Sequence, residues 1–162
     1  SPQALQVTQV MTDRPCRAIR VGRIQVQFFV KRRIQRTPTQ HPAGAVAPLL
    51  ISTPEATAYD LIRYATRIGG IERAAETIRP LLPLLRAREL RRVLDGENEP
   101  GVAQRLGFVI EACGNKSLVK VVRDWLPDEL TPVALVPGKG KRDDLPLIKR
   151  WQVLNNSSEL KV

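Results

Sequence analysis

The chain has one histidine, two cysteines and sixteen carboxylates with which to do chemistry. Their spacing argues against catalysis. His41 stands in Gln40-His41-Pro42, a loop context, and no cysteine cluster accompanies it. A zinc site needs three or four nitrogen and sulfur ligands, so none is expected. A nucleophile paired with a base would have to use His41 and has no motif behind it. Metal-assisted hydrolysis of the restriction-nuclease type needs an acid followed by a strand carrying Glu-x-Lys. The only such triplet, Glu159-Leu160-Lys161, lies in a polar tail, and the paired acids Asp143-Asp144 have no third ligand beside them. Neither Ile68-Gly69-Gly70 nor Gly138-Lys-Gly-Lys141 matches a phosphate-binding loop between a strand and a helix. Gly138 to Lys141 could meet a phosphate by charge alone, but a surface loop is the favoured reading. The residues therefore predict no cofactor and no enzyme.

What the chain has in excess is positive charge, +10 overall. Residues 1–51 hold eight Lys or Arg and one acid; 52–130 hold twelve of each; 131–162 hold six against three. A basic field of this kind attracts polyanions or an acidic partner. Arg17, Arg20, Arg23, Lys31, Arg32 and Arg33 crowd the first third and are candidate contacts for DNA or RNA, with Arg14 and Arg36 nearby. Phosphate contacts by such residues would be strongly salt-dependent. Base stacking needs exposed aromatic rings, and only Phe29 is placed for it. No helix-turn-helix pattern is present.

The elements that must position these groups follow from periodicity. At 162 residues with 43% hydrophobic content, one domain with a sizeable core is expected. No apolar run approaches a membrane span, so no membrane partner is expected. Arg23 to Lys31 alternates, with Ile24, Val26, Phe28 and Val30 on one face, which predicts a half-buried antiparallel strand. Short strands are predicted at Leu5–Val10, Arg17–Val21, Leu49–Ile51, Val133–Val136 and Ile148–Leu154, with Gly22 as a tight turn. Five helices are predicted between them: Pro54–Arg67, Ile71–Arg79, Arg86–Leu94, Pro100–Ala112 and Ser117–Leu126. The fold class is α+β: N-terminal antiparallel strands, a central helical layer, and C-terminal strands that rejoin the sheet. Cys16 and Cys113 read as two reduced, buried thiols in a cytoplasmic protein.

The most sharply punctuated stretch is Ile51 to Ile78. Ser52 with Glu55 can form a capping box; Thr53 followed by Pro54 is the alternative cap. Ala58, Leu61, Ile62 and Ala65 then form a core-facing stripe. Asp60, Arg63, Tyr64 and Arg67 fall on other faces, where Asp60 can pair with Arg63. Gly69-Gly70 supplies the positive φ that ends one helix and begins the next.

Ser52-Thr-Pro-Glu-Ala-Thr-Ala-Tyr-Asp-Leu-Ile-Arg-Tyr64, with Arg67-Ile-Gly-Gly-Ile71 behind it, resembles the AbiEi-type antitoxins of type IV toxin–antitoxin (abortive infection) systems. Val10-Met-Thr-Asp-Arg-Pro15 and Ile19-Arg-Val-Gly-Arg23 precede the block at matching distances. Gln104-Arg-Leu-Gly107 and Arg150-Trp-Gln-Val-Leu-Asn155 follow in order. One departure is Ala65-Thr66, where relatives often carry Pro-His. Such antitoxins usually begin with a winged-helix DNA-binding domain that represses the operon, so the resemblance implies that residues 1–162 are a single C-terminal domain with that part upstream of Ser1. It implies a non-enzymatic phage-defence role: countering a nucleotidyltransferase-fold toxin in the cytoplasm without a stable complex. The alternative is a basic nucleic-acid-binding or regulatory module. Asp60, Arg63, Tyr64 and Arg67 are the candidate partner-binding residues of the signature.

Overall fold

A computed structural model describes residues 6–44, 51–138 and 144–162. The chain divides into two compact units, Ser1–Thr37 and Pro38–Val162. Expected features at Leu5, at Leu49-Leu50, and from Lys139 to Asp143 lie outside the described residues.

The first unit is a three-stranded sheet of β1 (Gln6–Thr12), β2 (Ile19–Val21) and β3 (Ile24–Val30), in the order β1-β3-β2. The β2–β3 hairpin turns at Gly22-Arg23 and is antiparallel, as the alternation predicted. β1 runs parallel to β3, with Gln6 opposite Ile24 and Thr12 opposite Val30, so the sheet is mixed rather than antiparallel. The cause is the Asp13–Ala18 connection: it contains Pro15, makes no tight turn, and leads to the far side of β3. Val26 and Phe28 are half-buried, but Ile24 and Val30 are 45% and 37% exposed. The apolar face is thus covered only at its middle, and every buried apolar side chain among the described residues belongs to the second unit.

That unit opens with a two-strand ribbon, β4 (Thr39–Gln40) on β5 (Ile51–Ser52). Five helices follow: α1 (Pro54–Arg63), α2 (Ile71–Ile78), α3 (Ala87–Glu97), α4 (Pro100–Ala112) and α5 (Lys116–Trp125). All five fall where the periodicity placed them. α1 stops four residues early, at Arg63, and Ala65–Arg67 forms a separate 3₁₀ turn. α3 runs past Asp95-Gly96 to Glu97, because Asn98 takes the left-handed conformation (φ 51°) that ends it. Asn reaches that region at lower cost than most residues.

The start of α1 resolves the choice of cap. Thr53 is the N-cap: its hydroxyl accepts from the Ala56 N–H at 3.3 Å, with Pro54 in the first helical position. Proline there has its φ pre-set and no N–H to satisfy, which fixes Thr53 as the extended residue before it. Glu55 is therefore released from capping. It is buried, and its carboxylate accepts the Arg86 N–H at 2.8 Å, tying the start of α1 to the start of α3. The Ser52 and Thr57 hydroxyls bond each other at 2.7 Å.

α4 is the centre of the unit. Residues 102–104 and 106–110 are all buried, and the helix packs against α1, α5 and the C-terminal strands. A helix covered on nearly all sides belongs to a core, not a surface. The C-terminal strands β6 (Val133–Ala134), β7 (Leu147–Ile148) and β8 (Val153–Leu154) pair with one another in the order β6-β8-β7. They form their own small sheet and do not rejoin the N-terminal one. The single strand expected over Ile148–Leu154 is a hairpin, since Lys149–Gln152 turns, with Gln152 at φ 49°.

That turn drives Trp151 into α4. The Trp151 ring is fully buried against Gly107, where a Cβ would lie 2.2 Å from its Cζ3. Its Nε1–H donates to Glu111 at 2.6 Å. The buried Gln104 amide donates to the carbonyls of Trp151 (2.9 Å), Thr131 (3.0 Å) and Gln152 (3.3 Å). The segments Gln104–Gly107 and Arg150–Asn155, far apart in sequence, are thus a socket and its plug.

Candidate functional site

α1 ends in a cluster of charge. Arg63 Nε lies 3.1 Å from the Glu99 carboxylate at the start of α4. The same carboxylate accepts the Tyr59 hydroxyl at 3.4 Å. The guanidinium groups of Arg63 and Arg67 stand 5.2 and 5.7 Å from the centroid of the Tyr64 ring. Contacts of this kind hold a cation over an aromatic face at modest gain when exposed. Arg63 and Arg67 are exposed, and Tyr64 is half-buried.

The break after Arg63 makes this arrangement. The Gly70 N–H donates back to the Ala65 carbonyl at 2.8 Å. Gly69 and Gly70 then turn the chain into α2 with φ of 104° and 99°, as expected of that pair. Side chains rarely tolerate such angles. Beneath the break lies a cavity of about 220 Å³, lined by Arg63, Thr66, Gly70 and, from α4, Arg105, and closed by Leu135–Pro137. Arg105 is held by its Nε–H, which donates to the Ala134 carbonyl at 2.8 Å. Thr66 faces this cavity.

The predicted residues separate into two groups. Arg63, Tyr64 and Arg67 come together as one exposed face. Asp60 does not join them: it is buried, and the ion pair of Arg63 goes to Glu99 instead. Tyr59, Glu99 and Arg105 were not singled out from the sequence. Tyr59 and Glu99 are forty residues apart and had no sequence signal; Arg105 had one, in Gln104-Arg-Leu-Gly107. In the first unit Arg17, Arg20, Arg23, Arg32 and Arg33 are exposed, whereas Lys31 is buried.

The groups with shifted acidity are poor reagents. Burial, and next the Glu99 carboxylate, pushes the Tyr59 phenol far above its ordinary range, so it remains a hydrogen-bond donor. Burial also raises the Cys113 thiol, partly offset by Arg79, which disfavours its thiolate. Cys113 is half-buried and Cys16 is exposed, so the two cysteines are not the buried pair expected. Among the described residues no group of three His, Cys, Asp or Glu could hold a metal ion. No helix among them is long and apolar enough to cross a membrane.

The family described as AbiEi antitoxin C-terminal domain matches residues 1–112. The chain belongs to that family. No curated protein and no solved structure matches it. Membership in the AbiEi family supports an antitoxin role and, in general, a toxin as partner. The matched span includes the whole face Arg63, Tyr64 and Arg67, together with Glu99 and Arg105. It stops short of α5 and the C-terminal sheet, which this AbiEi chain nonetheless uses to close its core around Trp151.

Proposed function

We propose that this chain is the non-enzymatic antitoxin domain of a type IV, phage-defence toxin–antitoxin operon. It acts in the cytoplasm, counters a nucleotidyltransferase-fold toxin without a lasting complex, and presents Arg63, Tyr64 and Arg67 to its target. The observation that carries the reading is the exposed arginine face lying inside the family-matched segment. Two cations braced on one aromatic ring give a surface suited to an acidic protein patch or to phosphates. The experiment is co-expression with the neighbouring toxin gene. The wild-type domain relieves growth arrest, and Arg63→Glu with Arg67→Glu abolishes relief. The Arg63–Glu99 pair is exposed at both ends, so its loss costs at most about 1 kcal/mol and the double variant still folds. Full relief by a soluble, folded double variant refutes the role of this face.

A second reading rests on the exposed arginines of the first unit, Arg14, Arg17, Arg20, Arg23, Arg32, Arg33 and Arg36. They suit DNA or RNA backbone contact in a regulatory module, alone or beside the antitoxin role. Binding to a generic duplex or single strand should then fall by about 10-fold or more between roughly 50 and 200 mM salt. A flat response removes this reading.

A further inference from the structure

A larger cavity lies elsewhere, between α5 and the Lys149–Gln152 turn. It has a volume of about 650 Å³ and is lined by Lys116, Lys120 and Arg123 of α5, by Arg150, and by Glu111 and Asp124. The spacing 116, 120, 123 puts three cations on one face of a helix. Val119 falls on the same face and provides an apolar strip between them. Arg150, next to the buried Trp151, closes the opposite side, its guanidinium donating to Glu111 of α4.

The charges do not cancel. Glu111 is fully committed, one carboxylate oxygen accepting from Arg150 and the other from the Trp151 Nε1–H. Asp124 pairs with Lys120 at 2.5 Å, but both side chains are well exposed, and such a pair is weak enough for an incoming anion to replace. Among the described residues Arg123 donates only to the Pro127 carbonyl, at 3.4 Å. Lys116 makes no ion pair among the described residues. The Asn115 side chain already caps the start of α5 by accepting from Leu118 N–H and the Ser117 hydroxyl, so anion binding here depends on side chains and not on free helix amides. The volume falls within the usual range for small-ligand sites and exceeds what a lone phosphate fills.

We propose that this cleft binds an organic phosphate of mononucleotide size. Lys116, Arg123 and Arg150 meet the phosphate oxygens, and Val119 with the lysine stems packs the remainder. All lining residues except Glu111 lie beyond the family-matched span, and the inference does not depend on the antitoxin reading.

The test is titration of the full chain with nucleoside mono-, di- and triphosphates, the parent nucleosides and inorganic phosphate, followed by calorimetry and by amide chemical shifts. The expected result is saturable binding of a nucleotide with shifts confined to residues 114–124 and 150. Lys116→Ala with Arg123→Ala should weaken binding by about 10-fold or more, while Arg88→Ala with Arg91→Ala on α3 should leave it unchanged. The single variant Lys116→Glu, at an exposed position, gives the same reading should the double variant melt early. Absence of saturable binding, inorganic phosphate binding as tightly as any nucleotide, or undiminished binding by the Lys116 and Arg123 variants overturns the proposal.

Discussion

Replacing Gly107 by alanine tests the plug-and-socket account of the core most severely. The added Cβ would lie 2.2 Å from Cζ3 of Trp151 and 2.6 Å from both Cε3 and Cη2. Ordinary carbon contacts begin near 3.5 Å, so the ring must retreat by more than 1 Å. It has nowhere to go. Trp151 is fully buried, its Nε1–H is bonded to Glu111, and its carbonyl is bonded to Gln104. In an unpacked helix the same change would stabilise by roughly 1 kcal/mol through propensity. Overpacking in a core costs about 1–3 kcal/mol, and expelling a buried tryptophan about 3–5 kcal/mol. Subtracting the propensity gain leaves a net loss of about 0–2 kcal/mol if the ring only shifts and about 2–4 kcal/mol if it is expelled; with the ring bonded at both ends the larger loss is expected, a fall in Tm on the order of 10 °C for a domain of this size. Thermal and urea unfolding, followed by circular dichroism and fluorescence, provide the assay. Gly96→Ala, which meets nothing within 4 Å near the end of α3, should be neutral or slightly stabilising. In a Trp151→Ala background the cost of Gly107→Ala should vanish or reverse, because the clash is gone. A Gly107→Ala protein as stable as wild type, or an additive double variant, would refute the argument.

Two further substitutions probe groups that the sequence hid. Glu55→Ala leaves the Arg86 N–H without its buried acceptor and should cost about 1–3 kcal/mol in urea unfolding; loss of less than half a unit would show that water replaces the carboxylate. Tyr59 has its acidity suppressed in the folded state, by burial first and Glu99 next. A folded pKa raised above the unfolded value means that stability is intact below about pH 10 and is lost as the pH climbs further, by up to about 1.4 kcal/mol per pH unit. Tyr59→Phe should remove that part of the alkaline slope, and identical slopes in wild type and variant would refute it.

The legibility of the chain followed the range of the interactions involved. The five helices were readable because each carries its own period and punctuation: Thr53-Pro54 at the start of α1, Gly69-Gly70 between α1 and α2, Pro100 at the start of α4. Their misplaced ends lay where a local alternative existed, as at Asn98. Among the strands, the β2–β3 hairpin was readable from Gly22 and the alternation of Ile24 to Val30. The parallel pairing of β1 with β3 was not, since nothing local distinguishes one edge of a strand from the other.

Arg63, Tyr64 and Arg67 could be assigned to one face from helical spacing, but the carboxylate that anchors Arg63 could not. Asp60, three residues away, was the local candidate; Glu99, on another helix, is the partner. Likewise the sequence supplied the motifs Gln104–Gly107 and Arg150–Asn155 as separate signatures. The sequence alone therefore determined the order of elements, the family, and the charge of each segment, since these depend on neighbours along the chain. Tertiary structure alone decided that Lys31 is buried, that Glu55 holds α3, and that Gly107 is the floor beneath Trp151. Those outcomes depend on which surfaces meet, and burial of a group is set by what packs over it rather than by what precedes it.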